Sequence, residues 1–141
     1  MGQSTVEERG KILVVEDEQI VALDIKAMLQ RLGYAVTGLA PTGEAAISRA
    51  ELTRPDLVLM DIKLRGEMDG VEAGKVIKER FGIPVIYLTA NTDHETYERA
   101  MATGPLGYLQ KPFELEVLAA TIARALEQIR AGAGSAVARA Q

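Results

Sequence analysis

The sequence contains no cysteine and a single histidine, His94, among its 141 residues. The missing cysteines exclude a disulfide framework and thiolate-rich metal sites, and one imidazole cannot build a zinc site from several histidines. A formal net charge of −4 gives no electrostatic footprint for direct nucleic-acid binding. No apolar run reaches the ~18–20 residues that a membrane span needs. Because Met1–Gly10 is polar and lacks a signal-peptide segment, we expect a soluble cytoplasmic domain.

The length fits one domain with a sizeable core. We expect residues 1–10 to be a disordered lead-in, 11–130 to form the domain, and the Ala/Gly-rich tail 131–141 to be frayed or disordered. Apolar runs alternate with segments of helical periodicity. The predicted strands are Lys11–Val15, Tyr34–Ala40, a run starting at Pro55, Ile83–Leu88 and Leu106–Leu109. The predicted helices follow them: Val21–Leu32 closed by Gly33, a helix that leads from the turn Pro41–Gly43 to about Thr53, Val71–Phe81 closed by Gly82, Asp93–Thr103, and Leu115–Arg130.

Five strands that alternate with five helices predict an α/β fold with a parallel sheet covered on both faces. Short connections and right-handed crossovers favour the doubly wound topology. We see no internal repeat and no second domain.

The stretch Pro55–Gly70 is the most informative part of the chain. Its nearly continuous apolar run is typical of a strand buried on both faces, and Asp61 falls where that strand ends. Ligands of open α/β sheets bind just outside the carboxyl ends of the strands. Asp61 is therefore a candidate functional residue, although a solvated loop acid would look the same.

Other polar residues follow the remaining strands at the same edge. Glu16 and Asp17 end the first strand, Thr89 follows the fourth and Lys111 the fifth. Each has an ordinary explanation: acids favour a helix N-terminus, threonine caps helices, and lysine is commonly a solvated charge. Together, three close carboxylates repel one another by about 4 kcal/mol per pair at 4 Å and an effective dielectric near 20. A hydrated Mg²⁺ would remove that cost, and with a lysine it suits phosphoryl transfer to a carboxylate.

Five segments give the chain a resemblance to the response-regulator receiver domains of two-component signalling, typified by the bacterial chemotaxis regulator. They are Ile12–Glu18, Asp56–Asp61, Met68–Gly70, Leu88–Ala90 and Gly107–Phe113, and the resemblance covers residues 11–130. It implies a flavodoxin-like five-stranded sheet of order 2-1-3-4-5, an order taken by analogy.

The resemblance also implies roles for individual residues. Asp61 would be the phosphoacceptor, forming an aspartyl-phosphate. Mg²⁺ would be bound by Asp61, by Asp17, by Glu16 directly or through water, and by the backbone carbonyl of Lys63. Lys111 would pair with a phosphoryl oxygen.

A switch is implied as well. Thr89 would move to hydrogen-bond the phosphoryl group, and Tyr108 would swing inward in concert, although it could be an ordinary strand aromatic. The Lys111–Pro112 peptide bond would be cis, against a general frequency of about 5–6% for such bonds. We expect His94 to be a surface residue with no phosphorelay role.

The implied partners are a sensor histidine kinase or a His-phosphotransfer protein, and an unknown downstream protein. A homodimer through the face of helix 4, strand 5 and helix 5 is a further expectation. The chain would be a signalling domain that assists its own phosphorylation and dephosphorylation, and not an enzyme. We expect a stand-alone regulator; a fragment of a larger hybrid protein is the alternative.

Two readings from other classes remain open. A Mg²⁺-dependent phosphohydrolase would carry a second aspartate two residues after the nucleophile, where Lys63 stands. A pseudo-receiver would bind partners without phosphorylation, which the intact set of Asp17, Asp61, Thr89 and Lys111 disfavours.

The loop after Asp61 departs from the family pattern. Arg65 occupies a position where many receivers have proline, and the interval to Gly70 is one residue longer, through Gly66-Glu67. We therefore expect altered phosphoryl-loop geometry and partner fit. Lys63 and Asn91 occupy positions that modulate dephosphorylation in the family.

Overall fold

The computed structural model describes residues 9–90 and 93–140, with side chains described up to residue 132. Within these ranges one five-stranded sheet has the order β2-β1-β3-β4-β5, and every neighbouring pair is parallel. This confirms the predicted fold class and strand order. The strands are β1 Lys11–Val15, β2 Ala35–Ala40, β3 Leu57–Asp61, β4 Val85–Thr89 and β5 Gly107–Gln110.

Helices follow the strands in alternation: α1 Gln19–Arg31, α2 Gly43–Thr53, α3 Gly70–Phe81, α4 His94–Ala102 and α5 Leu115–Ala140. Side chains cap the starts of α2, α3 and α4, as Thr42, Asp69 and Asp93 each accept a hydrogen bond from a backbone N–H of the first turn. Such caps satisfy donors that the helix itself leaves unpaired. Gly33 and Gly82 follow α1 and α3 with φ of +93° and +69°, conformations that glycine adopts without strain.

Helices cover both faces of the sheet, as predicted. Ile12 and Val14 of β1 pack with α1 and α5 on one face, and Leu13 and Val15 pack with α2, α3 and α4 on the other. All residues of β3 are buried. This explains why the β3 sequence is apolar throughout and shows no alternation.

Several predicted boundaries are displaced by one or two residues. β4 begins at Val85, directly after Pro84, because proline has no N–H to donate to the ladder. β3 begins at Leu57, two residues after Pro55, and the Asp56 N–H between them donates to the Lys11 carbonyl at 2.8 Å. The Pro84 carbonyl still accepts a hydrogen bond from the Val58 N–H at 3.1 Å.

The last helix and the start of the described chain differ from the prediction. The backbone of α5 continues as helix to Ala140, past the expected boundary at residue 130; alanine is the strongest helix former, which favours this extension. Arg9, assigned to the lead-in, donates to the Leu32 carbonyl at 2.8 Å and lies 5.1 Å from the Tyr34 ring centroid. Residues 1–8 of the predicted lead-in lie outside the described part. Among the described helices, none is both long and apolar enough to cross a membrane.

Candidate functional site

The sheet brings the predicted site residues to one edge. Asp61 and Thr89 are the last residues of β3 and β4, Glu16 follows β1 directly, and Lys111 follows β5. Asp61 pairs with Leu88 in the β3–β4 ladder, and the Lys111 N–H donates to the Thr89 carbonyl at 2.7 Å. The register therefore places these side chains side by side.

Gly70 lets α3 approach the site closely. Its N–H donates to the Ile62 carbonyl at 2.8 Å, so the loop after Asp61 folds back onto the end of its own strand. A Cβ atom at Gly70 would collide with the backbone carbonyl of Asp61. Glycine is required here by the close approach of two backbone segments.

Lys111 joins two buried carboxylates. Its Nζ lies 2.8 Å from Glu16 Oε1 and 2.9 Å from Asp61 Oδ2, and the three side chains are 19%, 1% and 6% exposed. Burial acts to lower the pKa of Lys111, but its hydrogen bonds to Glu16 and Asp61 outweigh this and raise it. Burial also raises the pKa of Glu16 to about 7; the Lys111 hydrogen bond opposes that shift and Asp61 adds to it. The positive charge of Lys111 therefore offsets the repulsion between the two buried carboxylates.

The carboxylates of Glu16, Asp17 and Asp61 form one cluster, in which one oxygen from each lies within 4.8 Å of the others. The donor set is all oxygen, one member is partly exposed, and the spacing allows one ion to contact all three. These properties fit Mg²⁺, which prefers carboxylate and water ligands. The Lys63 N–H donates to Asp61 Oδ1 at 3.3 Å; the role of its carbonyl stays a prediction.

The Thr89 and Tyr108 side chains interact between the neighbouring strands β4 and β5, whose register pairs Tyr108 with Tyr87. Thr89 is 2% exposed, and the Tyr108 ring packs edge-on against Tyr97 of α4 with centroids 4.9 Å apart. Burial raises the pKa of the Tyr108 hydroxyl, and the Thr89 side chain opposes the shift. The aromatic therefore connects the site edge to α4. Asn91 lies outside the described residues.

The loop that departs from the family pattern is ordered around Arg65. Its backbone forms an isolated parallel bridge with Thr42, and Gly66 takes a φ of +98°. Arg65 Nε lies 3.5 Å from Asp17 Oδ2. The sequence indicates an unusual loop but does not predict this ion pair. Its one indication is that Arg65 lies in a loop at the same sheet edge as the acids that end β1.

Two smaller predictions have clear outcomes. The Lys111–Pro112 peptide bond is cis, as predicted. His94 lies on the surface with its side chain 85% exposed, and its Nε2 is 3.1 Å from Glu98 Oε2.

The fold and this edge define the class of the protein: a doubly wound parallel-sheet domain with an acidic cluster and a lysine at its strand ends. A profile of the response regulator receiver domain matches residues 12–123. The chain belongs to this family, which is a module of two-component signalling.

The curated relatives are longer than the region that matches this chain. The transcriptional regulatory protein PdtaR of Mycobacterium tuberculosis is 37% identical over 120 residues, which cover 85% of this chain and 58% of that protein. The transcriptional regulatory protein ZraR of Escherichia coli K12 is 40% identical over 116 residues, 82% of this chain and 26% of that protein. The chain thus spans less than two thirds of either relative, and the expectation of a stand-alone regulator stays a prediction.

Solved structures agree with the fold. The signal receiver domain of a modulated diguanylate cyclase from Desulfovibrio desulfuricans G20 has a TM-score of 0.84 and 35% identity, and the match covers 89% of this chain and 99% of that one.

Proposed function

We propose that Asp61 accepts a phosphoryl group from a phosphohistidine of a sensor histidine kinase or His-phosphotransfer protein. The phosphorus–nitrogen bond breaks as a phosphorus–oxygen bond to Asp61 forms, and the histidine leaves as imidazole after taking up a proton. The aspartyl-phosphate then changes the contacts of the domain with a downstream protein.

The position of Asp61 carries this proposal. One carboxylate oxygen contacts the Lys111 ammonium and the other accepts from the Lys63 N–H, so the carboxylate is oriented before any donor arrives. The Lys111 ammonium can also contact the phosphoryl group after transfer, since this group brings new anionic oxygens to the Asp61 side chain. The Thr89 hydroxyl, at the end of the next strand, would donate to one of them.

Glu16, Asp17 and Asp61, with the Lys63 carbonyl, would hold Mg²⁺. When bound, the ion neutralises the charge that gathers on the phosphoryl oxygens during transfer. The chain itself orients the acceptor, excludes most water from Asp61 and places a lysine beside it.

A groove beside Lys111 supports docking of the phosphodonor protein. It has a volume of about 430 Å³, and its lining combines apolar side chains with three charged ones: Val21, Ile25, Met28, Pro112 and Phe113, with Glu18, Asp24 and Lys111. On the neighbouring surface of α1, Ile20 and Leu23 are 83% and 48% exposed. An apolar helix face next to the acceptor suits the helical surface of a kinase.

Replacing Ile20 and Leu23 with alanine tests this docking surface. We expect phosphotransfer from a kinase to slow, while labelling by a small-molecule donor is unchanged because that reaction needs no protein contact. An equal loss with both donors would instead indicate damage to the site.

The output surface is proposed to be the face of α4, β5 and α5, which could also form a homodimer. Tyr97 and Met101 of α4 and Val117 of α5 are 41%, 40% and 48% exposed. Because Tyr97 packs against Tyr108, a movement of Tyr108 toward Thr89 would alter this face. Hydrogen exchange of α4 with and without a phosphoryl mimic should differ; identical exchange would contradict the switch.

Labelling with a small phosphodonor tests the function as a whole. Acetyl phosphate or phosphoramidate with Mg²⁺ should label the wild type and the control Glu51→Gln, whose carboxylate is exposed on α2. Asp61→Asn, or chelation of the metal, should abolish labelling. Label that persists in Asp61→Asn would refute the assignment, and Asp61-dependent turnover of p-nitrophenyl phosphate would favour a phosphohydrolase.

A further inference from the structure

We infer that Arg65 is a displaceable internal counter-cation of the acidic cluster, holding Asp17 in the metal-free chain and lowering the affinity of the cluster for a divalent cation. This inference rests on the proposed metal site. It assigns a function to the residue that stands where many receivers have proline.

The charges of the cluster favour such a displacement. Three carboxylates, Glu16, Asp17 and Asp61, face two cations, Lys111 and Arg65. When all three carboxylates are ionised, the set carries one net negative charge without metal. A bound divalent cation repels both side-chain cations, so movement of one of them away from the cluster favours metal binding.

The two cations are held unequally. Lys111 is 19% exposed and contacts two buried oxygens at 2.8 and 2.9 Å. Arg65 is 79% exposed and contacts the partly exposed Asp17 at 3.5 Å. Exposed pairs of this kind contribute little free energy. Arg65 is therefore the cation that leaves at small cost.

The loop keeps the guanidinium close to the site nevertheless. The backbone bridge between Arg65 and Thr42 fixes the start of the side chain, and Gly66 supplies the left-handed turn that follows it. A tethered cation competes at a high effective concentration, even when its contact is weak. The longer loop after Asp61 thus supplies the cation that competes with a metal ion for Asp17.

A Mg²⁺ titration at constant ionic strength, followed by amide chemical shifts of the site edge, measures the effect. Arg65→Gln should bind Mg²⁺ about twofold to fivefold more tightly than wild type, the range that corresponds to one exposed ion pair. Arg65→Lys should remain near wild type because it keeps the charge. The control Arg31→Gln removes the same charge from the far end of α1, about 18 Å along the helix axis from its start, and should leave the affinity unchanged.

Equal or weaker Mg²⁺ binding by Arg65→Gln would overturn the inference and leave the proposed function standing. A wild type that shows no Mg²⁺-dependent shifts would overturn the metal site and this inference together. Higher salt should reduce the difference in Mg²⁺ affinity between wild type and Arg65→Gln, because screening weakens an exposed ion pair. An affinity difference that does not depend on salt would contradict an origin in the ion pair.

Discussion

Replacing Lys111 with methionine would leave Glu16 and Asp61 buried without the ammonium that contacts both. The wild-type contacts are 2.8 and 2.9 Å long, and the two carboxylate side chains are 1% and 6% exposed. Methionine preserves much of the volume of the lysine stem, so the loss of charge dominates the result.

The size of the effect follows from the burial of the partners. Removing one member of a buried ion pair costs about 3–5 kcal/mol, and hydrogen bonds to charged groups contribute about 1.5–3 kcal/mol each. The 19% exposure of Lys111 and the ability of Glu16 to take up a proton reduce the cost. We expect the free energy of unfolding to fall by about 3 kcal/mol near pH 7 without Mg²⁺.

Urea unfolding of wild type, Lys111→Met and the exposed control Lys75→Met measures this change, provided that the slopes with denaturant agree. Adding Glu16→Gln to Lys111→Met should recover part of the loss, since it removes one of the two carboxylate charges. A loss for Lys111→Met within about 0.5 kcal/mol of the control, the ordinary range of surface substitutions, would refute the coupling of these three residues.

Three further perturbations test other parts of the structure. Gly70→Ala should lower the free energy of unfolding by about 1–3 kcal/mol, because its methyl group collides with the Asp61 carbonyl. Thr103→Val should cost about 1–3 kcal/mol in the same urea assay, because it removes the 2.8 Å hydrogen bond to the Tyr87 hydroxyl and leaves that group unpaired. Hydrogen bonds from the first turn of α4 lower the pKa of Asp93. The stability that the ionised Asp93 contributes is therefore present above its unfolded pKa of 3.8 and is lost as the pH falls through the lowered folded-state pKa. The thermal unfolding of Asp93→Asn should approach that of wild type in acid.

Each of these three predictions has an outcome that would contradict it. Unchanged stability of Gly70→Ala would show that the loop moves aside freely. A neutral Thr103→Val would mean that water or another group satisfies the tyrosine, and a difference between Asp93→Asn and wild type that is constant with pH would exclude a charge-dependent cap.

The alternation of strands and helices, and the convergence of Asp61, Thr89 and Lys111, could be predicted because they depend on local apolar patterns and on the geometry of parallel sheets. The start of β4 was less predictable, since the missing N–H of Pro84 shortens a ladder that the apolar pattern would extend.

Contacts that long side chains make away from the ends of the strands, or from an irregular loop, could not be predicted. Arg99 of α4 reaches Asp69 at 3.0 Å, and Lys78 of α3 donates to the carbonyls of Thr103 and Gly104 at 3.1 and 2.9 Å. The pairing of Arg65 with Asp17 is of the same kind. These contacts depend on the relative placement of helices and loops, which a pattern along one chain does not specify.

Mapping the phosphorylated residue by mass spectrometry tests the central claim most directly. After reaction with a phosphohistidine donor and Mg²⁺, reduction by borohydride converts an aspartyl-phosphate to homoserine, which marks its position in a peptide. We predict that the modified residue is Asp61. Modification of another carboxylate, or of His94 as an unreduced phosphohistidine, with Asp61 unchanged, would contradict the account.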